Sequence, residues 1–169
     1  MGKIGARPEH PRPSGVRCSN IPSLYSASGR GAATRKYVNL NERHRVLAAA
    51  KTLPARSGLF VMLLTWTGAR VSEVLALTPS SFPIEQSVVA IVTPKRRGWS
   101  VRDVPIPPEL RRSIAREFSV ARLQCDPERQ SARLWAMSRT TAWRIIKRVM
   151  RMAIVSGRAA CPRGLRHGF

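Results

Sequence analysis

The sequence predicts an α+β fold that is mostly α-helical and includes a small antiparallel β-hairpin or sheet. Between Val38 and Phe169 most apolar residues recur with helical spacing, in segments that start at capping residues and stop at Gly or Pro. Residues 84–106 differ, because two β-branched or extended segments, "SVVAIVTP" and "RDVPIP", flank the basic, Gly-containing "KRRGWS". That pattern is typical of a β-hairpin.

The chain divides into an N-terminal arm and one domain. Residues 1–37 contain many Pro, Gly, Ser and Arg without sustained periodicity, so we expect a basic, disordered arm. It is either a passive tail or an arm that contacts DNA phosphates. The remainder of the 169 residues, 38–169, has room for one domain with a real core.

Three helices are expected before the hairpin. Asn39 or Asn41 can cap the first, which ends ahead of the Pro in "KTLPARS". The second, at about residues 55–66, is apolar all round, which predicts burial on every side. Gly68 ends it, and the third occupies about residues 70–78.

Two further helices are expected after the hairpin. "PPEL" opens one that continues to about Leu123, and Ser138 or Thr140 can cap a long one that continues to about Val155. Between them, "ARLWAM" has the composition of a brief strand. The apolar face of the last helix includes Trp143, which favours a place in the core for this side chain, with stacking on a nucleic-acid base as the alternative.

The charge predicts a polyanionic partner. Thirty Lys and Arg residues oppose nine Asp and Glu, the net charge is +21, and no acidic residue follows Glu128. Only five of the thirty are Lys, and Arg is the side chain best suited to bidentate contacts with phosphate oxygens. Such self-repulsion is tolerated mainly when a nucleic acid neutralises it, so a nucleic acid is the expected partner. An RNA-binding or ribosome-associated protein would explain the charge but not the motifs given below.

The three cysteines, Cys18, Cys125 and Cys161, are few and widely spaced, so neither a disulfide framework nor a metal-ligand cluster is predicted. The longest apolar run is less than half of a membrane span, and the N-terminus lacks the apolar segment of a signal peptide. We therefore expect a cytoplasmic protein with no membrane association, no metal and no small-molecule cofactor.

Arg70 is the most informative single residue. It lies at the start of the third helix, where a positive charge opposes the helix dipole. The same position allows its guanidinium and free backbone N–H groups to converge on an anion, with Glu73 one turn later to hold the guanidinium. The alternative is a solvated surface arginine.

Three segments resemble one family. "LLTWTGARVSEVLAL" resembles the first arginine box of the tyrosine recombinases, also called phage integrases. "IVTPKRRGWSVRDVPIP" is similar to the lysine-bearing hairpin of that family, and "CPRGLRHGF" to its second arginine box. The three segments occur in the family's order over about residues 38–169, so the fold expected there is the tyrosine-recombinase catalytic core.

The resemblance implies a reaction and roles for named residues. In this family a tyrosine hydroxyl cuts a DNA strand, forming a 3′-phosphotyrosine link and a free 5′-hydroxyl, with no metal. Arg70 and Arg166 would hold the non-bridging oxygens of the scissile phosphate, and Lys95 would protonate the departing 5′-oxygen. Glu73 and His167 would have orienting roles. The alternatives are a solvated loop lysine at Lys95 and a packed histidine at His167.

Arg163 departs from the family pattern, which most often has His at this position. Arginine donates hydrogen bonds to a phosphate but does not accept a proton, so a positioning role is expected here and an acid–base role is not. We expect further DNA contacts from basic residues of the hairpin and the last helix, with a merely solvated basic face as the alternative. These residues are Arg96, Arg97, Arg139, Arg144, Lys147, Arg148 and Arg151.

The family's nucleophilic tyrosine follows the second arginine box. Tyr25 and Tyr37 both precede the first box, and neither matches that position. We therefore expect a C-terminally incomplete catalytic core without a nucleophile, inactive as given. It would be a DNA-binding fragment of a site-specific recombinase or, alternatively, a non-catalytic DNA-binding remnant of an integrase. The resemblance also implies a homo-oligomer of four protomers on DNA.

Overall fold

The computed structural model describes residues 35–84, 86–95 and 98–167. Within these ranges the chain forms α-helices, a two-stranded antiparallel sheet and short 3₁₀ turns, which confirms the predicted fold class. Most of the predicted arm, residues 1–34, lies outside the described residues, as do Arg96 and Arg97 of the hairpin.

Helices α1 (Leu40–Lys51) and α2 (Ala55–Thr67) pack against each other. The side chain of Asn39 accepts a hydrogen bond from the backbone N–H of Glu42, and the Glu42 carboxylate accepts one from the N–H of Asn39. This reciprocal pair selects Asn39 over Asn41 as the cap. Helix α2 is buried along most of its length, as its all-round apolar sequence predicts.

Helix α3 (Val71–Leu75) follows α2 closely and is shorter than the sequence predicts. Gly68 ends α2 in the left-handed conformation, with φ of 60°. After α3 the chain enters a 3₁₀ turn at Pro79–Ser81.

The hairpin consists of β1 (Val88–Lys95) and β2 (Gly98–Pro105), and its register places Ile91 opposite Arg102. Side chains alternate between the two faces of a strand. Ile91 is accordingly buried, whereas Val92 is 43% exposed. The face that carries Ile91 and Arg102 is therefore the one turned toward the domain.

The prediction of one continuous helix from "PPEL" to about Leu123 is wrong, because two helices form there: α4 (Pro108–Glu117) and α5 (Val120–Gln124). Ser119 between them has φ of 49°, a left-handed conformation that interrupts the helical path. The neighbouring Phe118 is buried, and its ring centroid lies 5.0 Å from that of Trp135 in an edge-on contact. The break between α4 and α5 therefore lies directly beside the packing contact of Phe118 with Trp135.

The strand predicted at "ARLWAM", residues 132–137, is also wrong, because this segment forms no strand. Leu134 donates one backbone hydrogen bond to the carbonyl oxygen of Leu77 at 3.0 Å. The indole N–H of Trp135 donates to the carbonyl oxygen of Arg56 at 2.8 Å. Both side chains are buried, so packing holds the segment instead of a hydrogen-bonded ladder.

Helix α6 (Arg139–Met152) begins at Ser138, whose hydroxyl accepts a hydrogen bond from the N–H of Thr141 at 3.0 Å. Trp143 is 50% exposed, so its predicted place in the core is wrong. It is the fifth residue of α6 and directly follows the buried Ala142. The buried residues of this helix are Ala142, Ile146, Val149 and Met150.

Two 3₁₀ turns, Gly157–Ala159 and Pro162–His167, end the described part of the chain. The core centres on α2, which contacts α1, α3, α4, α6 and the turn Pro162–His167. No helix in the described ranges combines the length and apolar character needed to cross a lipid bilayer.

Candidate active site

Arg70 lies at the N-terminus of α3 because the chain turns at Gly68. The N–H of Gly68 donates to the carbonyl oxygen of Leu64 at 3.0 Å and completes the last turn of α2. The N–H of Ala69 then donates to the hydroxyl oxygen of Thr67 at 3.3 Å. These bonds fix the turn and make Arg70 the capping residue of α3, with a side chain that is 52% exposed.

Glu73 holds Arg70 in place through two hydrogen bonds. Its carboxylate accepts from the backbone N–H of Arg70 at 2.8 Å and from Nη1 of the same residue at 3.0 Å. It also accepts from the Thr93 hydroxyl at 3.1 Å and from Nη2 of Arg102 at 3.2 Å. The Arg70–Glu73 pair that the helical spacing predicts is therefore present, within a larger network centred on a carboxylate that is 3% exposed.

Burial alone would raise the pKa of Glu73. The hydrogen bonds from Arg70 and Thr93, together with the positive charges of Arg102 and Arg70, outweigh burial and hold the pKa of Glu73 below its ordinary value. The carboxylate consequently stays ionised and gives both guanidinium groups a fixed negative partner.

The sequence alone does not reveal the parts that Arg102 and Thr93 play in this network. The signal lies in the hairpin register, which puts Arg102 opposite Ile91 and therefore on the same face as Thr93, two residues after Ile91. That face meets α3 and Glu73.

Arg166 is brought to the same turn from the C-terminal end of the domain. Its Nε donates to the carbonyl oxygen of Gly68 at 3.3 Å. The 3₁₀ turn that carries it is tightly packed, because a Cβ atom on Gly164 would lie 2.0 Å from the carbonyl oxygen of Ala159. The N–H of Val38 also donates to the carbonyl oxygen of Gly164 at 3.1 Å, which ties this turn to the residues before α1.

Arg70 and Arg166, hereafter the arginine pair, line two surface pockets together. The first, called the hairpin pocket, has a volume of about 300 Å³ and is lined by Arg70, Glu73, Thr93, Ser100, Arg102 and Arg166. The second, called the tryptophan pocket, has a volume of about 230 Å³ and is lined by Arg70, Val71, Ser72, Arg139, Trp143, Pro162, Arg163 and Arg166. Of the residues that line these two pockets, Glu73 alone is acidic. The arginine pair thus lies between two cation-rich recesses that suit an anion.

Tyr37 lies closer to this region than its place in the predicted arm suggests. It lines a third pocket, of about 560 Å³, together with Arg163 and Arg166. Its other lining residues are Lys36, Arg158 and Cys161. The structure therefore brings one of the two tyrosines of the sequence next to the second arginine box.

The remaining predicted site residues fall into two groups. Lys95 ends β1 opposite Gly98, and His167 ends the last 3₁₀ turn, but their side chains lie outside the described part of the structure. Their roles stay predictions, as do those of Arg96 and Arg97. Within the described ranges, no group of three or more His, Cys, Asp or Glu side chains is placed to hold a metal ion.

Some basic side chains of α6 are exposed to solvent, and one is hydrogen-bonded within the domain. Arg144, Arg148 and Arg151 are exposed. Lys147 instead donates from Nζ to the carbonyl oxygen of Ala160 at 2.8 Å, which ties α6 to the segment before the second box.

The fold is shared with solved recombinase structures, while no curated protein matches the chain. The XerH site-specific recombinase, in a pre-cleavage complex with its difH substrate, is 19% identical with a TM-score of 0.65 over 80% of this chain and 42% of that chain. XerA recombinase is 23% identical with a TM-score of 0.60, over 78% and 47%. The integrase of transposon Tn1549, in complex with transposon right-end DNA, is 15% identical with a TM-score of 0.53, over 79% and 51%. This chain therefore spans about half or less of the length of each of these proteins.

A family model described as the phage integrase family matches residues 36–169. The matched range contains both arginine boxes and the hairpin, and it begins just before α1. Because the match covers most of the sequence and every element that positions the arginine pair, the chain belongs to the phage integrase family.

Proposed function

We propose that this chain binds double-stranded DNA and contains the phosphate-holding part of a tyrosine-recombinase active site. The observation that carries the proposal is the hydrogen bond from Arg166 to Gly68, because it joins segments 98 residues apart. The turn at Gly68 also places Arg70 at the start of α3. The two guanidinium groups therefore line the same pockets and can donate to the oxygens of a single phosphate.

The proposed chemistry uses positive charge that is fixed before the reaction. When the deprotonated oxygen of a tyrosine attacks phosphorus and the bond to the 5′-oxygen breaks, negative charge builds up on the non-bridging oxygens. Arg70, held by Glu73, and Arg166, held by Gly68, stabilise that charge without first reorganising. Lys95 supplies the proton to the departing 5′-oxygen. Arg163 donates hydrogen bonds to the phosphate, and His167 supports the second box.

The wider DNA surface would follow from the basic residues around the pockets. Arg139 lines the tryptophan pocket, and Arg144, Arg148 and Arg151 are exposed on α6, where they contact backbone phosphates in this proposal. Arg96 and Arg97 also contact DNA in this proposal, whereas Lys147, whose Nζ is bound to the carbonyl oxygen of Ala160, is assigned to the fold. The XerH and Tn1549 neighbours are themselves complexes with DNA. In this proposal, residues 1–37 form a basic arm and residues 38–169 form the catalytic-core domain. The protein is cytoplasmic and assembles as four protomers on DNA.

The binding proposal is tested by a salt titration with labelled duplex DNA. We expect the logarithm of the binding constant to fall linearly with the logarithm of salt concentration, with a slope of about −0.9 for each phosphate neutralised. Arg166→Ala should weaken binding by about tenfold, the loss expected for charge-assisted hydrogen bonds. Arg112→Ala is the matched control, since it removes an equal charge from an exposed residue that pairs with Glu109. A flat salt titration, or equal losses in the two variants, would contradict the proposal.

A second candidate function is DNA binding without cleavage. It is favoured by the position of Tyr25 and Tyr37, which both precede the two arginine boxes. The test is a covalent-adduct assay on a denaturing gel with nicked DNA half-sites. An adduct formed by the chain as given and lost in Tyr37→Phe would make Tyr37 the nucleophile. An adduct formed only by a chain extended with a tyrosine-bearing segment, and lost in Arg70→Ala, supports the catalytic proposal. Absence of an adduct in both chains supports the non-catalytic candidate.

A further inference from the structure

Trp143 is a large apolar side chain in an unusual position. It is 50% exposed, although the apolar spacing of α6 predicts a buried residue. Together with Val71 and Pro162 it provides the apolar lining of the tryptophan pocket. A half-exposed indole ring beside arginine side chains is more typical of a ligand-binding surface than of the edge of a hydrophobic core.

The ring is held from its own helix. Nζ of Lys147 lies 5.8 Å from the centroid of the Trp143 ring, at the range of a cation–π contact. The same Nζ donates to the carbonyl oxygen of Ala160 at 2.8 Å, so the cation is itself fixed. Trp143 is therefore braced by a residue that the fold already immobilises.

The rest of the pocket supplies positive charge. Arg139 and Arg163 line it together with the arginine pair, and none of its lining residues is acidic. An apolar surface beside clustered guanidinium groups matches a nucleotide, whose phosphate pairs with arginine and whose base stacks on an aromatic ring. The pocket volume of about 230 Å³ lies below the range of about 300–1,000 Å³ typical of drug-sized ligands, which fits one base and not a larger ligand.

We propose that Trp143 stacks on the face of one unpaired nucleobase adjacent to the phosphate held by Arg70 and Arg166. This inference rests on the proposed function and adds a ligand to the same site. Strand exchange requires that bases next to the cut leave their original partners. In an intact duplex both faces of an internal base are covered by its neighbours, so only an unstacked base can present a face to the Trp143 ring. Stacking on Trp143 would offset part of the cost of unstacking that base.

The test compares two single-stranded ligands of about 12 nucleotides, a length within the site sizes of single-strand-binding surfaces. One is oligothymidylate, and the other is an oligomer of abasic tetrahydrofuran residues that keeps every phosphate but has no bases. We expect Trp143→Ala to weaken oligothymidylate binding about tenfold, as base stacking on an aromatic residue predicts, and to leave abasic binding unchanged. Trp143→Phe should restore most of the preference for bases. Circular dichroism checks that each variant is folded.

Two controls separate this proposal from the proposed function. Trp99→Ala removes another exposed tryptophan, 77% exposed on the hairpin, and should change the preference for bases much less. Arg166→Ala should weaken both ligands equally, because it removes a phosphate contact. The stacking proposal is overturned if Trp143→Ala affects both ligands equally or affects neither, or if Trp99→Ala lowers the preference as much. If Trp143→Ala weakens oligothymidylate binding alone, as expected, but Arg166→Ala has no effect on either ligand, the proposed contact of Arg166 with phosphate is overturned instead.

Discussion

Nε of Arg166 donates a hydrogen bond to the carbonyl oxygen of Gly68 at 3.3 Å, across 98 residues of sequence. Gly68 also ends α2 and so sets the position of Arg70, two residues later. One backbone turn therefore positions both arginines. This arrangement explains how two basic motifs at opposite ends of the domain can act on one phosphate.

Gly68→Ala is expected to lower both the free energy of unfolding and the affinity for DNA. A side chain in the left-handed conformation of Gly68 costs about 1–2 kcal/mol, and relief of that strain would displace Arg70. Gly157, with φ of 70°, is the matched control. Gly157→Ala should cost similar stability in urea denaturation but much less affinity in a duplex DNA titration. Equal losses of affinity would show that the Gly68 turn has no special role.

Glu73→Gln is expected to weaken DNA binding although it makes the protein more positive. A purely electrostatic view predicts tighter binding once a carboxylate is removed. The structure predicts a loss of about three- to tenfold, because Arg70 and Arg102 lose a shared charged partner and are no longer held in place. Glu109→Gln removes a carboxylate that is 75% exposed and should not weaken binding. Tighter binding by Glu73→Gln would contradict an orienting role for Glu73.

The same residue gives a pH dependence of stability. The pKa of Glu73 is lower in the folded protein than in the unfolded chain, so its ionised form stabilises the fold. That contribution is complete above the unfolded value of about 4.3 and is lost as the pH falls through the lower folded pKa. The difference in free energy of unfolding between wild type and Glu73→Gln should therefore be largest near neutral pH and shrink in acid. A difference independent of pH from neutral to strongly acidic solution would show that the ionised carboxylate does not stabilise the fold.

Lys147 and Arg148 are neighbours on α6 with different expected roles. Lys147→Met should reduce the free energy of unfolding by about 1–3 kcal/mol, because it removes a charged donor from the carbonyl oxygen of Ala160. Arg148→Met should change the free energy of unfolding little, since Arg148 is exposed. It should nevertheless weaken DNA binding, because it removes a proposed phosphate contact. Chemical denaturation and DNA titration of both variants provide the comparison. Reversed effects would mean that Lys147 belongs to the DNA surface and Arg148 to the fold.

The local parts of this structure were predictable because local sequence determines them. Asn39 and Ser138 cap helices through their own side chains, and Gly68 supplies the left-handed turn. The i,i+3 spacing of Arg70 and Glu73 predicts their contact in the same way.

The predictions that were wrong depend on tertiary packing. Phe118 packs on Trp135, and the helix breaks beside it at Ser119, which helical spacing does not reveal. The exposure of Trp143 depends on which side of α6 packs against α1, α2 and α3. The contact of Arg102 with Glu73 depends on the hairpin register, which the sequence pattern alone does not determine.

The most direct test of the arginine pair is a double-mutant cycle on duplex DNA binding. Arg70→Ala, Arg166→Ala and the double variant are measured by titration at one salt concentration, and the free-energy change of the double variant is compared with the sum of the single changes. If both arginines hold one phosphate, the two values should differ by more than about 1 kcal/mol, as for residues that share a partner. If they agree within about 0.5 kcal/mol, the arginines act on DNA independently and the central claim is wrong.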